Sequence, residues 1–482
     1  MKNVLQGLKP ERLWFYFSEI LEIPRPSKKE EKIIKYLLDF GKSQGLETVQ
    51  DKIGNVIIRK DATAGKENSK SVVLQSHIDM VCEKNNDTVF DFDNDAIIPR
   101  IDGEWVKATG TTLGADDGIG IAAQLAILEA KDIEHGPIEC LFTVDEETGL
   151  TGAFELDPEI LKSRTLLNLD SEDEGQLFIG CAGGKDTIIE MSYKKSPVPE
   201  NHTAFKIVVN GLMGGHSGDE IHKGLGNANK LLNRFLFECN KFGLKLSFFD
   251  GGNLRNAIAR EAFANTIIPN ESVKEFTEFA DSFKNVLKSE FRITDPGVNF
   301  FIEEIGQPDF ILSEKSQKQL ISSVYSCPHG AISYSAEIEN FVQTSTNLAS
   351  VKTKENHILI TTSQRSSVET EKDDIANMVA NCFALTDSKI YHTDGYPGWQ
   401  PNPDSEVVAT TVRSYKKLFD QDPEVLAIHA GLECGLIGDK YPDMDMISFG
   451  PTIKGAHSPD ERLHIESTIK FWDLLLDILK NI

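Results

Sequence analysis

Cysteine is sparse in this chain and scattered. The seven cysteines among 482 residues (Cys82, Cys140, Cys181, Cys239, Cys327, Cys382 and Cys434) are odd in number and never spaced Cys-x-x-Cys. That is the pattern of reduced thiols in a cytosolic protein, and it argues against a disulfide framework or a cysteine-held zinc. Positive charge is short as well: 50 Lys and Arg stand against 75 Asp and Glu, a formal charge of −25. Such a balance repels polyanions and offers no basic stripe, so no nucleic-acid partner is expected. No apolar run approaches the roughly 20 residues that a membrane-spanning helix needs. The first dozen residues, from Met1-Lys2-Asn3-Val4, carry charges and no continuous apolar stretch of a secretory signal. These absences predict a soluble, cytoplasmic protein with no membrane partner.

What is present suits a folded enzyme. Hydrophobic residues make up 40% and charged residues 26% of the chain, enough to fill cores, and 482 residues suggest two or three domains. Helices are predicted from about Pro10 to Leu21 and again after Ser27, where Glu30 three residues on forms a capping-box pattern. Short apolar strands at Val56-Ile57-Ile58 and Val72-Val73-Leu74 alternate with them, the pattern of an α/β layer structure.

Polar residues recur where the strands end. The strand from Val72 runs into Ser76-His77-Ile78-Asp79, and the i, i+2 spacing sets His77 and Asp79 side by side. Strand ends of this kind are where open α/β sheets build their sites. Gly114-Ala115-Asp116-Asp117-Gly118-Ile119-Gly120 precedes the apolar helix Ile121–Leu128. Its adjacent carboxylates would repel a phosphate and suit a cation, although an aspartate N-cap explains the segment equally well. The strand Ile138–Val144 ends in Asp145-Glu146-Glu147-Thr148-Gly149, which a solvated loop would also explain. Leu166–Leu169 ends in Asp170, and Gly455-Ala456-His457-Ser458-Pro459 follows the strand at Met446. Two imidazoles and three or four carboxylates at one sheet edge, without cysteine, form a donor set fit for a pair of divalent metals such as zinc.

This ordered series of five motifs resembles the co-catalytic dizinc metallopeptidases, a family that includes aminoacylases, carboxypeptidase G and carnosinases. Ile23-Pro24-Arg25-Pro26-Ser27 and Gly214-Gly215-His216-Ser217-Gly218-Asp219-Glu220 are similar to its aminoacyl-histidine dipeptidase branch, and the likeness covers essentially the whole chain. The resemblance implies two Zn²⁺ per chain, with Co²⁺ or Mn²⁺ as substitutes. One would be held by His77, Asp116 and Asp170, the other by Asp116, Glu147 and His457. It implies that Asp79 orients His77, that Glu146 is the general base, and that a cis peptide follows Asp116. It further implies that His216 contacts the oxyanion and that Asn256, Arg365 and Gly431 bind substrate. The neighbouring glutamates are expected to point apart, one to the metals and one to the water. The implied activity is hydrolysis of dipeptides, preferring a C-terminal histidine (Xaa-His, β-Ala-His). In this family an aspartate at the position of Asp170 accompanies aminopeptidase and dipeptidase activity, and glutamate accompanies deacylase and carboxypeptidase activity. An N-acyl amino acid deacylase or carboxypeptidase is the alternative, as is a non-catalytic binding protein on a retired peptidase fold.

The implied fold is a three-layer α/β catalytic domain of the zinc exopeptidase type with a mostly parallel central sheet, residues 1–184 and 396–482. An α+β lid, residues 185–395, would be inserted in it. The lid is long enough for a doubled ferredoxin-like unit, although no internal sequence repeat is visible. His135, His202, His329, His392 and His464 are read as structural or solvated, and the terminal helix from about Glu466 as packed on the core. A homodimer is compatible with all of this.

In single-lid relatives the lid histidine reaches into the active site of a dimer partner, and a doubled lid would let His216 serve its own chain. Mixing His216→Ala with Glu146→Ala chains under subunit exchange tests this. Activity should stay absent. Its return would mean that a mixed dimer had regained one complete site.

Overall fold

The computed structural model describes residues 4–402 and 404–482; Met1–Asn3, on which part of the signal reading rests, lie outside them. The chain divides into two compact units. The first comprises Met1–Gly180, Trp399–Ala427 and Leu432–Ile482, and the second Cys181–Gly398 with Ile428–Gly431.

The first unit is built on an eight-stranded sheet. Its order is Glu47–Gln50, Val56–Lys60, Ile138–Thr143, Val72–His77, Thr165–Asn168, Asp445–Ser448, Gln176–Cys181 and Glu424–Ile428. The four strands from Ile138–Thr143 to Asp445–Ser448 pair in parallel, and antiparallel strands flank them on both sides. Val72–His77, Ile138–Thr143 and Thr165–Asn168 are buried at every position. Burial of alternate residues alike requires cover on both faces, as parallel sheets generally have. Helices Glu11–Leu21 and Ala115–Glu129 pack on each other, the latter also on Val72–His77; Glu406–Phe419 packs on Ile465–Asn481 and on Asp445–Ser448. Because the central strands are parallel, their carboxyl ends share one edge. The loops that leave that edge carry His77, Glu146 and Glu147, Asp170, and the chain leading to His457. A four-stranded sheet contains Ile453–Lys454 and Arg462–His464, and His457 lies in the turn between these two strands.

Two local expectations resolve differently. The second helix runs Glu31–Ser43, and Ser27 does not cap it. The Ser27 hydroxyl instead donates to Asp79 Oδ2 at 2.7 Å, while Glu30 Oε1 accepts the amides of Lys28 and Asp145 at 2.8 and 3.0 Å. At the start of Ala115–Glu129 the two alternatives fall to different residues. Asp117 Oδ1 accepts the Gly120 amide at 3.1 Å, as an N-cap does. Asp116 is left facing two histidines. The Asp116–Asp117 peptide is cis.

The second unit is a nine-stranded antiparallel sheet. Its first half follows the order strand His202–Asn210, helix Ala228–Glu238, strands Lys245–Gly251 and Ala262–Pro269, helix Val273–Glu290, strand Asn299–Ile305. That is a β-α-β-β-α-β unit with its strands in the ferredoxin-like 4-1-3-2 order. The other half repeats it with Gly183–Ser192, Glu314–Ser326, Val342–Thr353, His357–Ser366, Glu369–Phe383 and Ser388–His392. An extra strand, Gly330–Tyr334, pairs with Val342–Thr353. The first half is inserted after the first strand of the second. The doubling is therefore nested, and a search for a tandem sequence repeat misses it. The tie of Ile428–Gly431 to this unit includes the Ala182 amide, which donates to Ile428 O and Ala430 O.

The core of this unit centres on Phe235, fully buried, whose ring lies 4.8–5.8 Å from those of Phe276, Phe279, Phe283 and Phe300. Phe235→Ala should lower stability by about 3–5 kcal/mol, the transfer and cavity cost of a buried aromatic. A urea unfolding curve shifted by less than about 1 kcal/mol would show that the cluster closes around the gap.

Candidate metal centre

Strand geometry delivers His77 at the end of Val72–His77, 1% exposed. Its Nε2 stands 3.0 Å from Asp116 Oδ1 and 3.4 Å from Asp170 Oδ1. Its Nδ1 stands 3.3 Å from Asp79 Oδ1. The other oxygen of Asp116 faces His457 Nε2 at 3.2 Å, and that nitrogen is 3.1 Å from Glu147 Oε2. His457 sits at φ 61°, a left-handed backbone that costs a residue with a Cβ roughly 1–2 kcal/mol.

Two triads result, His77–Asp116–Asp170 and Asp116–Glu147–His457, with donor atoms inside 4.8 Å of one another and Asp116 common to both. Ligand atoms about 2.0–2.1 Å from a tetrahedral zinc stand about 3.3 Å apart. The separations of 3.0–3.4 Å between His77, His457 and the three carboxylates match that spacing. Glu147 Oε1 is buried without a hydrogen-bond partner, a free acceptor at the same spot. By donor chemistry and spacing, the residues present fit a pair of divalent cations.

The electrostatics agree. Burial alone would raise the Asp116 carboxyl, yet the hydrogen bonds and charges of His457 and His77 hold it far below the ordinary range. Bonds to Asp116 and Glu147 push His457 up to about 11 against its desolvation. His77 is raised well above its usual value although burial opposes this, chiefly through Asp170, Asp116 and Asp79. Burial pushes Asp170 up to about 7, with Asp116 and Glu147 adding to it and His77 opposing. The cluster thus attracts positive charge at its centre.

Asp79, fully buried, does more than face His77. Its oxygens accept the amides of Glu146 at 3.0 Å and Glu147 at 3.2 Å besides the Ser27 hydroxyl. One carboxylate therefore holds both the ring and the turn of the two glutamates. That turn is a single helical turn, Glu146–Gly149, following Asp145 at φ 49°. The glutamates consequently do not point fully apart, and both carboxylates come within 4.8 Å of a His77 nitrogen. Only Glu147 also groups with Asp116 and His457. Burial raises Glu146 well above the ordinary range, with Asp170, Glu433 and Glu147 adding to it and His77 opposing. Sequence reading overlooked Glu433, a buried carboxylate that accepts Gln75 Nε2 at 2.6 Å and Thr143 Oγ1 at 2.8 Å. A lone glutamate in Leu432-Glu433-Cys434 carries no signal of this.

His216, Asn256, Arg365 and Gly431 lie in the second unit. His216 Nδ1 is 3.1 Å from Asp219 Oδ2, and the Asn256 carbonyl accepts the Ser217 amide at 2.8 Å. Arg365, 8% exposed, donates from Nη1 to the Tyr396 hydroxyl at 3.0 Å, while its Nε is buried without a partner. With Asn256, Arg255 and Tyr396 it lines a cavity of about 540 Å³. A Cβ at Gly431 would come 2.9 Å from the Tyr396 ring, so the glycine admits that ring. His464 caps the last helix by accepting the Ser467 amide, and the half-buried His329, its pKa lowered to about 4 by desolvation, accepts the Leu348 amide at 3.3 Å; both roles are structural.

The model of peptidase family M20/M25/M40 matches residues 73–481. The chain is 44% identical over 479 residues to the cytosol non-specific dipeptidase of Escherichia coli (strain K12), covering 99% of each protein. It is similar to the crystal structure of aminoacylhistidine dipeptidase from Vibrio alginolyticus, with TM-score 0.94 and 43% identity over 99% of this chain and 98% of that one. An aminopeptidase from Bacillus cereus, at 17% identity and TM-score 0.63 over 98% of each chain, shares the fold alone.

Proposed function

Because the chain belongs to peptidase family M20/M25/M40, we propose that it is a dipeptidase working with two Zn²⁺ ions held by His77, Asp116, Asp170, Glu147 and His457. The observation that carries this reading is the pair of triads sharing Asp116. The substrates are dipeptides with a free C-terminus, including those ending in histidine. The name of the Vibrio alginolyticus protein supports the histidine, and that of the Escherichia coli protein supports a broader range. The name of the latter also supports a cytosolic location. No helix of the described residues is long and apolar enough to cross a membrane.

Held by these residues, a divalent pair would supply Lewis acidity for the scissile carbonyl and for a water acting near neutral pH. The chain's own residues do the rest. Asp79 fixes the His77 ring and, through two amides, the Glu146–Glu147 turn. Glu146 takes the proton of the attacking water on its carboxylate and delivers it to the amine as the C–N bond breaks. Glu147, facing His457, stays a ligand. Arg365 receives the C-terminal carboxylate of the dipeptide, for which its planar fork and partnerless Nε are suited.

Chelation should abolish dipeptide hydrolysis, and zinc, cobalt or manganese should restore it. Glu146→Gln should retain about two metals per chain yet lose about 10²–10⁴-fold in turnover, whereas Glu147→Gln should lose metal as well. Metal analysis of both variants decides it: equal loss in the two would reverse the roles.

Arg365→Ala should lower kcat/KM for free dipeptides by about 10- to 100-fold, the worth of a charge-assisted bond. The corresponding dipeptide amides should suffer far less, and an equal loss on both would make Arg365 a purely structural residue.

A further inference from the structure

Asp116 is the only side chain common to the two triads, so the loop that carries it decides whether either forms. Two buried charges that are not ligands grip this loop. Arg25, 2% exposed, donates from Nη1 to Ile78 O at 3.1 Å and to Asp79 O, and from Nη2 to Gly114 O at 2.5 Å. Its own carbonyl accepts the Met80 amide at 3.2 Å. Room for the guanidinium exists because residues 114 and 118 are glycines: a Cβ at either would lie 2.8 Å from Arg25 Nη2. Glu461, also 2% exposed, spans four consecutive amides. Oε2 accepts Leu113 N at 2.6 Å and Gly114 N at 2.9 Å, and Oε1 accepts Ala115 N at 2.7 Å and Asp116 N at 3.4 Å.

The seven bonds of the two side chains all go to backbone atoms, and they join three segments that carry ligands. Glu461 belongs to the same turn as His457, between the strands Ile453–Lys454 and Arg462–His464. It therefore ties the His457 turn to the Asp116 loop. Arg25 ties that loop to the strand end that presents His77. Charge-assisted bonds are stronger and more directional than neutral ones, and a buried charge left without them is costly. The observed loop conformation satisfies both charges at once.

We infer that Arg25 and Glu461 are positioning residues that lock the Leu113–Asp117 loop so that Asp116 stands between His77 and His457 and both cation sites form together. The inference rests on the two-cation reading above. Groups that orient metal ligands typically govern metal affinity by 10- to 100-fold. In Glu461→Gln one oxygen becomes an NH₂ facing backbone amides, and Arg25→Lys keeps the charge but loses the fork.

The test is zinc titration by calorimetry into chelator-stripped wild type, Glu461→Gln and Arg25→Lys, with Tm measured with and without zinc. In each variant at least one zinc should bind 10- to 100-fold more weakly than in wild type, and the rise in Tm caused by zinc should shrink. Both affinities within twofold of wild type, or a Tm loss equal with and without zinc, would overturn the inference and leave the two residues merely structural. If Glu461→Gln does not fold, Glu461→Asp takes its place under the same two criteria, since it keeps the charge one methylene short of the amides. A wild type that does not bind two zinc ions would instead refute the two-cation reading.

Discussion

The carboxylates Asp79, Asp116, Asp170, Glu146 and Glu147 gather around the single buried imidazole of His77. Two like charges at roughly 5 Å repel by about 3 kcal/mol even at an effective dielectric of 20. A fold that concentrates them so must hold each by other bonds. Asp79 shows how: completely buried, it is held below the ordinary carboxylate range because His77, the Ser27 hydroxyl and the Glu146 amide outweigh its desolvation. Asp116 is held in the same way from the two histidines. What remains is a negative centre built to accept cations, and the surrounding architecture serves to keep it from relaxing.

The parallel strands matter for that reason. Antiparallel strands would send alternate loops to opposite edges, whereas Ile138–Thr143, Val72–His77, Thr165–Asn168 and Asp445–Ser448 run the same way. Their complete burial ties the edge to a core that cannot shift by a residue without turning every side chain over. Loop chemistry then completes the site, through the Asp79 bonds to the glutamate turn and the backbone grip of Arg25 and Glu461. The second unit solves a different problem, with two interleaved ferredoxin-like halves giving one continuous sheet over a phenylalanine-rich core.

Much of this was legible from the chain alone. The seven scattered cysteines, the −25 charge and the motifs at strand ends narrowed the chemistry to an oxygen and nitrogen metal site, because ligand identity is a local property and strand-end placement follows from periodicity. Local pattern misled where one side chain had two suitable partners. Ser27 and Glu30 have the spacing of a capping box, yet Ser27 bonds Asp79 and Glu30 bonds the Asp145 amide. Both partners are brought up by the fold from far along the chain.

Sequence by itself determined the α/β class, the helices and strands around each motif, and the residue types that could bind cations, since propensity, periodicity and donor chemistry reside in short segments. Only the tertiary structure decided that Asp116 faces the histidines while Asp117 caps the helix. It alone decided that the two glutamates share one helical turn under Asp79, and that the second unit is doubled by nesting. The reason is that these are relations between segments far apart in the chain. Arg25 and Glu461 grip the same loop from 89 and 347 residues away through backbone atoms, and a backbone amide or carbonyl leaves no mark in the sequence of the residue that offers it.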